Sequence, residues 1–94
     1  MLSTTLHDIT GGDPVQMAAL MKEFRAQLLV SIDALKAADE GDAWEAAAHR
    51  LKGGALAVGA TELAKAAAKA EHGLCARDEC LAVIDAVFLE EMPG

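Results

Sequence analysis

Aromatic residues, proline and positive charge are scarce in this 94-residue chain. It contains two phenylalanines, one tryptophan, no tyrosine and only two prolines. Eight lysines and arginines stand against 15 aspartates and glutamates, so the net charge is −7 at pH 7. Because proteins bind nucleic-acid phosphates through basic surfaces, this charge balance argues against a nucleic-acid partner.

Long apolar runs and alternating apolar–polar stretches are also missing. No run reaches the roughly 20 residues needed to cross a bilayer, so we expect no membrane association. Residues 1–5 lack the basic start and apolar stretch of a secretion signal, which favours a cytoplasmic location. Cys75 and Cys80 could pair, but without an export signal we expect them to stay reduced.

The apolar residues that are present favour helices. Alanine and leucine supply most of them, and no window alternates with the period of two that a sheet requires. The predicted fold is all-α: a single domain over residues 1–94, built as an antiparallel up-and-down four-helix bundle with a short N-terminal helical segment at about residues 3–10. Apolar residues recur at three- and four-residue steps in four segments, at about residues 14–38, 42–58, 60–74 and 78–91.

Turn residues mark the ends of these segments. Asp13 followed by Pro14 predicts a capped start for the first helix, and Gly41 predicts the break after it. Asp42 is then expected to cap the second helix, and Gly59 to end it. The connections are short, so consecutive helices are expected to be neighbours in the bundle.

The second helix contains the one stretch where local propensity and fold disagree. Gly53 and Gly54 stand in its middle, and each costs roughly 0.5–1 kcal/mol relative to alanine. Such a disagreement is expected mainly at functional sites. With Trp44 at the centre of the buried stripe, His49 lies roughly 140° away, on the outer face. Gly53 is its surface neighbour four residues on, so a partner can approach the imidazole closely.

An exposed imidazole is suited to accepting a phosphoryl group. Near pH 7 it is largely neutral, with a lone pair on one ring nitrogen. A carboxylate bonded to the other nitrogen would fix the tautomer and support the cation that develops. Lys52 can offset the phosphate charge, whereas Arg50 is expected to point to another side. The alternative for His49 is an ordinary solvated histidine, so spacing alone indicates a site without naming it.

Residues 48–55, with the sequence AHRLKGGA, resemble the histidine-containing phosphotransfer (HPt) family of two-component phosphorelays. That family's signature is a histidine followed by a hydrophobic residue, lysine and glycine, then a Gly-Ala step and a downstream leucine. The last two are present here as residues 59–60 and Leu63. The resemblance extends over nearly the whole chain through three further segments, residues 11–14, 41–42 and 70–71.

The resemblance implies a phosphocarrier that is not itself an enzyme. His49 would accept a phosphoryl group from a receiver-domain aspartate or a kinase and pass it to the receiver aspartate of a response regulator. The receiver would supply Mg²⁺, so no cofactor or metal of the chain's own is expected. The implied partners are receiver domains and a sensor or hybrid histidine kinase. The protein would be a monomer, and either free-standing or part of a larger kinase.

Glu71 is the candidate for orienting the imidazole. Residues 52–55 together with Glu71 resemble the phosphotransfer domains of chemotaxis kinases, in which a glutamate at the corresponding spacing bonds the histidine. The second histidine that often joins that network is replaced here by Ala68. The alternative for Glu71 is a solvated surface carboxylate.

The receiver is expected to dock on the outer surface of the second helix. Leu29 and Val30 are apolar but lie outside the stripe of the first helix, so they either widen its buried face or join the partner surface. The predicted docking residues are Glu45, Ala46, Gly53, Leu56 and Ala57.

Three other functions compete with this one. A docking module with the same bundle could regulate a kinase or receiver without being phosphorylated, but the intact histidine and lysine argue against it. A catalytic kinase is excluded because no nucleotide-binding loop is present. A metal site formed by His72, Cys75 and Cys80, with His7 nearby, has no standard ligand spacing, so packing is the expected role of both thiols.

Overall fold

The structure, a computed structural model, describes residues 13–92, so the predicted N-terminal segment lies outside the described residues. Within this part the chain forms four helices and no strand, which confirms the predicted all-helical class. No helix of the described part has the length and apolarity needed to span a membrane. The helices are α1 (Pro14–Ala37), α2 (Asp42–Ala57), α3 (Thr61–Glu71) and α4 (Arg77–Glu91).

The starts of α1 and α2 differ in how they are capped. The Asp13 carboxylate accepts a hydrogen bond of 2.9 Å from the backbone N–H of Val15, which confirms the predicted cap of α1. The prediction that Asp42 caps α2 was wrong. Gly41 precedes that helix with φ 95°, a conformation that favours glycine, and Asp42 is already the first helical residue. The Asp42 carboxylate still lies near the positive end of the helix dipole.

Helix α3 ends at Glu71, three residues before the predicted end. Gly73 takes a positive φ of 67°, and the backbone N–H of Leu74 turns back to donate to the carbonyl of Lys69 at 2.9 Å. This is the usual closure of a helix by glycine. Leu74, at the predicted end of this helix, therefore lies outside it and is 71% exposed.

The helices pack in chain order, with α2 between α1 and α3, and α4 against α3. Small side chains line the contact between α2 and α3, which lets these two backbones approach closely. The Trp44 indole N–H donates to the carbonyl of Ala70 at 2.9 Å and joins the start of α2 to the end of α3. The buried alanines of the two helices are Ala47, Ala48, Ala55, Ala64, Ala66, Ala67 and Ala70.

Polar side chains join α1 to α4 at two places along the helices. Arg25 donates to the carbonyl of Met92 at 2.9 Å, where α4 ends. Near the end of α1, the Lys36 ammonium lies 3.0 Å from the Asp85 carboxylate, and Arg77 donates to the Lys36 carbonyl at 2.7 Å. The start of α4 therefore lies beside the end of α1, and the end of α4 beside the middle of α1.

Cys75 and Cys80 form a disulfide, so the expectation that both stay reduced was wrong. Their Cα atoms are 5.8 Å apart, a separation that suits a disulfide. The turn around Gly73 ends α3 early and brings Cys75 beside the first turn of α4. Because the two sulfurs are bonded to each other, neither is available as a metal ligand, and the described residues include no group of three or more candidate ligands.

Reducing this disulfide is expected to lower the free energy of unfolding by about 2 kcal/mol, the loop-closure entropy of so short a ring. The measurement is urea unfolding with and without a dithiol reductant. The variant Cys75→Ala is the control, since the reductant should not change its unfolding midpoint. Identical midpoints for oxidised and reduced wild-type protein would contradict the prediction.

Candidate functional site

His49 lies in the middle of α2 and points away from the core. Its neighbours Ala48 and Leu51 are fully buried, and this fixes the helix face on which the imidazole stands. The His49 side chain is 68% exposed. One turn further, a Cβ added at Gly53 would meet no side chain or neighbouring element of the described residues within 4 Å, so these residues leave the surface beside His49 open at that position.

Glu71 reaches the imidazole from the last residue of α3. Its Oε2 lies 2.9 Å from Nδ1 of His49, and its Oε1 lies 2.7 Å from Nζ of Lys52. The Glu71 side chain is only 13% exposed. The close packing of α2 on α3 through alanines is what allows this contact between helices. The structure thus brings together His49, Lys52 and Glu71, the three residues predicted to form the site.

The charge of Glu71 decides which ring nitrogen holds the proton. The Lys52 ammonium beside Glu71 lowers the pKa of that carboxyl; partial burial opposes this, and the hydrogen bond with His49 lowers it further. Glu71 is therefore ionised near neutral pH and can only accept hydrogen bonds. A neutral His49 then carries its proton on Nδ1, and the lone pair stands on Nε2.

Two cationic side chains follow His49 on α2, at Arg50 and Lys52. The Lys52 ammonium contacts the same Glu71 carboxylate that contacts the His49 ring, and its side chain is only 25% exposed. Arg50 lines the same shallow hollow as His49, and the expectation that it points to another side stays a prediction. The other residues of this hollow are Asp42, Glu45, Ala46 and Glu71.

Beside this hollow lies an apolar groove between α1 and α2, with a volume of about 540 Å³. Val30, which is 68% exposed, lines the groove from α1, and Ala57 lines it from α2. The sequence signal for it was the pair of apolar residues outside the α1 stripe, of which Val30 belongs to the groove. The predicted docking residues are all exposed on α2, namely Glu45, Ala46, Gly53, Leu56 and Ala57.

The two glycines of α2 have separate physical explanations. A Cβ at Gly54 would lie 3.2 Å from Cδ2 of Leu28, so this glycine lets α1 pack closely on α2. Gly53 has no such neighbour and faces the open surface beside His49. Only Gly53 therefore calls for an explanation outside the packing of the described chain.

An exposed imidazole, held by an ionised carboxylate on a helical scaffold, is the arrangement of a phosphocarrier module. The family model of the Hpt domain matches residues 16–93 of this chain. The chain therefore belongs to the Hpt domain family, whose members take part in histidine phosphotransfer in two-component phosphorelays. Comparisons with curated proteins and with solved structures gave no match.

Proposed function

We propose that His49 accepts a phosphoryl group from a receiver-domain aspartate or a kinase and passes it to the receiver aspartate of a response regulator. The observation that carries this proposal is the 2.9 Å contact between Nδ1 of an exposed His49 and the Glu71 carboxylate. This contact holds the proton on Nδ1 and leaves Nε2 as the nucleophile.

In the proposed step, the Nε2 lone pair attacks phosphorus. The N–P bond forms while the P–O bond to the receiver aspartate breaks, and the electron pair leaves with the aspartate carboxylate. The proton stays on Nδ1, so the phosphorylated ring carries a positive charge that Glu71 offsets. Lys52 in turn balances Glu71, at 2.7 Å. The same bonds form and break in reverse when the phosphoryl group moves to the next receiver.

The chain contributes a positioned nucleophile and a docking surface, and we propose that it is not an enzyme in its own right. Phosphoryl transfer depends mostly on positioning and electrostatics, so the partner receiver is the natural holder of the Mg²⁺. The docking surface consists of the exposed face of α2 with the adjoining groove. Its predicted members are Glu45, Ala46, Gly53, Leu56 and Ala57.

Several finer features belong to the same proposal. We propose a single domain in which the four helices run in alternating directions, supported by the contacts of Arg25 with Met92 and of Lys36 with Asp85. The partners are receiver domains and a sensor or hybrid histidine kinase. A monomeric state and a cytoplasmic location stay predictions.

The test is incubation of the chain with a radiolabelled, phosphorylated receiver domain. The expected product is a label on this chain that is labile in acid and stable in alkali, as a phosphoramidate bond is. A second, unphosphorylated receiver should then remove the label. Binding of the receiver without any transfer of label would instead support the docking module that is never phosphorylated.

Replacing Gly53 with glutamine is expected to preserve folding and to slow transfer roughly tenfold, because correct docking geometry governs the rate. Among the described residues, no atom of a neighbouring element lies within 4 Å of a Cβ at this position, and the added side chain would project beside His49, where the receiver must approach. The measurement is the initial rate of label transfer, with circular dichroism to verify the fold. Gly53→Ala is the matched control, since alanine also removes the flexibility of glycine but adds only a methyl group beside His49. Equal rates in the glutamine variant and in wild type would remove the steric argument.

A further inference from the structure

The charges around His49 leave one cation without a partner. Lys52 lies 2.7 Å from Glu71, so its charge is balanced before any phosphate arrives. Arg50 lines the hollow that holds His49, and among residues 13–92 no carboxylate lies within ion-pair distance of its guanidinium.

The same hollow is otherwise acidic. Asp42, Glu45 and Glu71 all line it together with His49. A phosphoryl dianion on Nε2 would therefore stand among three carboxylates, and its negative charge adds to theirs. Among residues 13–92, Arg50 is the one lysine or arginine that lines this hollow.

We propose that the Arg50 guanidinium holds the phosphoryl group carried by His49. A guanidinium presents several N–H donors in a planar fork that matches phosphate oxygens, which an ammonium cannot do. Arg50 also lines the apolar groove between α1 and α2, so this residue lies between the hollow around His49 and the proposed docking surface. This role rests on the proposed phosphorylation of His49.

The test follows the phosphoryl group itself and needs no partner protein. Wild type, Arg50→Gln, Arg50→Lys and Lys22→Gln are phosphorylated with phosphoramidate, and the ³¹P resonance of each is titrated with pH. Losing Arg50 should raise the titration midpoint of the phosphoryl group by about half a pH unit, the size of one exposed ion pair. Lys22→Gln removes the same charge from an exposed position on α1, outside the hollow, and should leave the midpoint unchanged. The titration midpoint of Arg50→Lys should fall between those of wild type and Arg50→Gln.

Two results separate this inference from the proposed function. If His49 is phosphorylated but the midpoints of wild type and Arg50→Gln agree, the role of Arg50 is overturned while the phosphocarrier function stands. If neither phosphoramidate nor a phosphorylated receiver labels His49, the proposed function and the inference fall together.

Discussion

Replacing His49 with glutamine is expected to abolish the transfer of acid-labile phosphate to this chain. Glutamine keeps the helix and offers an amide that can still meet Glu71, but its amide nitrogen has no lone pair free to attack phosphorus. Because the side chain is 68% exposed, the free energy of unfolding should change by no more than about 0.5 kcal/mol. The measurement is the amount of label on each protein after incubation with a phosphorylated receiver.

His72 supplies the matched control for this experiment. It is exposed, follows Glu71 directly in sequence and forms no hydrogen bond with the His49 ring. His72→Gln should therefore be labelled as well as wild type. Acid-labile phosphate on the His49→Gln protein would contradict the assignment and point to another nucleophile on this chain.

The position of His49 could be predicted because it depends on one helix alone. A regular helix fixes the direction in which each residue leaves the axis, so the apolar stripe centred on Trp44 also defined the exposed face. Asp13 was predictable for the same reason, since a cap acts within its own first turn. The place of Gly53 beside His49 on the exposed face was predictable from their spacing of four residues.

Features that depend on contacts between elements were harder to predict. Whether Cys75 and Cys80 can pair depends on the turn at Gly73, which ends α3 early and brings the two sulfurs together. Helical phase also gives the direction of a Cβ and not the end of a long side chain. Lys52 therefore reaches Glu71 on another helix, and Arg50 is among the residues that line the hollow around His49.

The sequence indicated that Glu71 is the residue that contacts the imidazole, but it did not give the geometry of that contact. Glu71 was singled out by a resemblance in spacing, and a solvated carboxylate remained open because the distance between α2 and α3 is not encoded in either helix alone. The alanines that line both helices set this distance. The contact of His49 with Glu71 is thus a consequence of packing.

Replacing Glu71 with glutamine is expected to slow phosphoryl transfer by roughly tenfold to a hundredfold, the range in which loss of positioning affects rates. Glutamine fits the same space but carries no charge. It leaves the half-buried Lys52 ammonium without its counter-ion and no longer offsets the positive charge of the phosphorylated ring. It also no longer requires the proton to stay on Nδ1. The measurements are the transfer rate and the ¹⁵N spectrum of the His49 ring, which reports the tautomer.

The pH dependence of stability gives an independent check on the same contact. A carboxyl whose pKa is lowered in the folded state stabilises the protein above its ordinary pKa, and this contribution is lost as pH falls through the lowered value. The stability difference between wild type and Glu71→Gln should therefore shrink on acidification. Glu62→Gln is the control, because Glu62 is exposed on the same helix and lies 3.6 Å from Lys65. A Glu71→Gln protein with unchanged tautomer, unchanged rate and a constant stability difference would show that Glu71 does not position the imidazole.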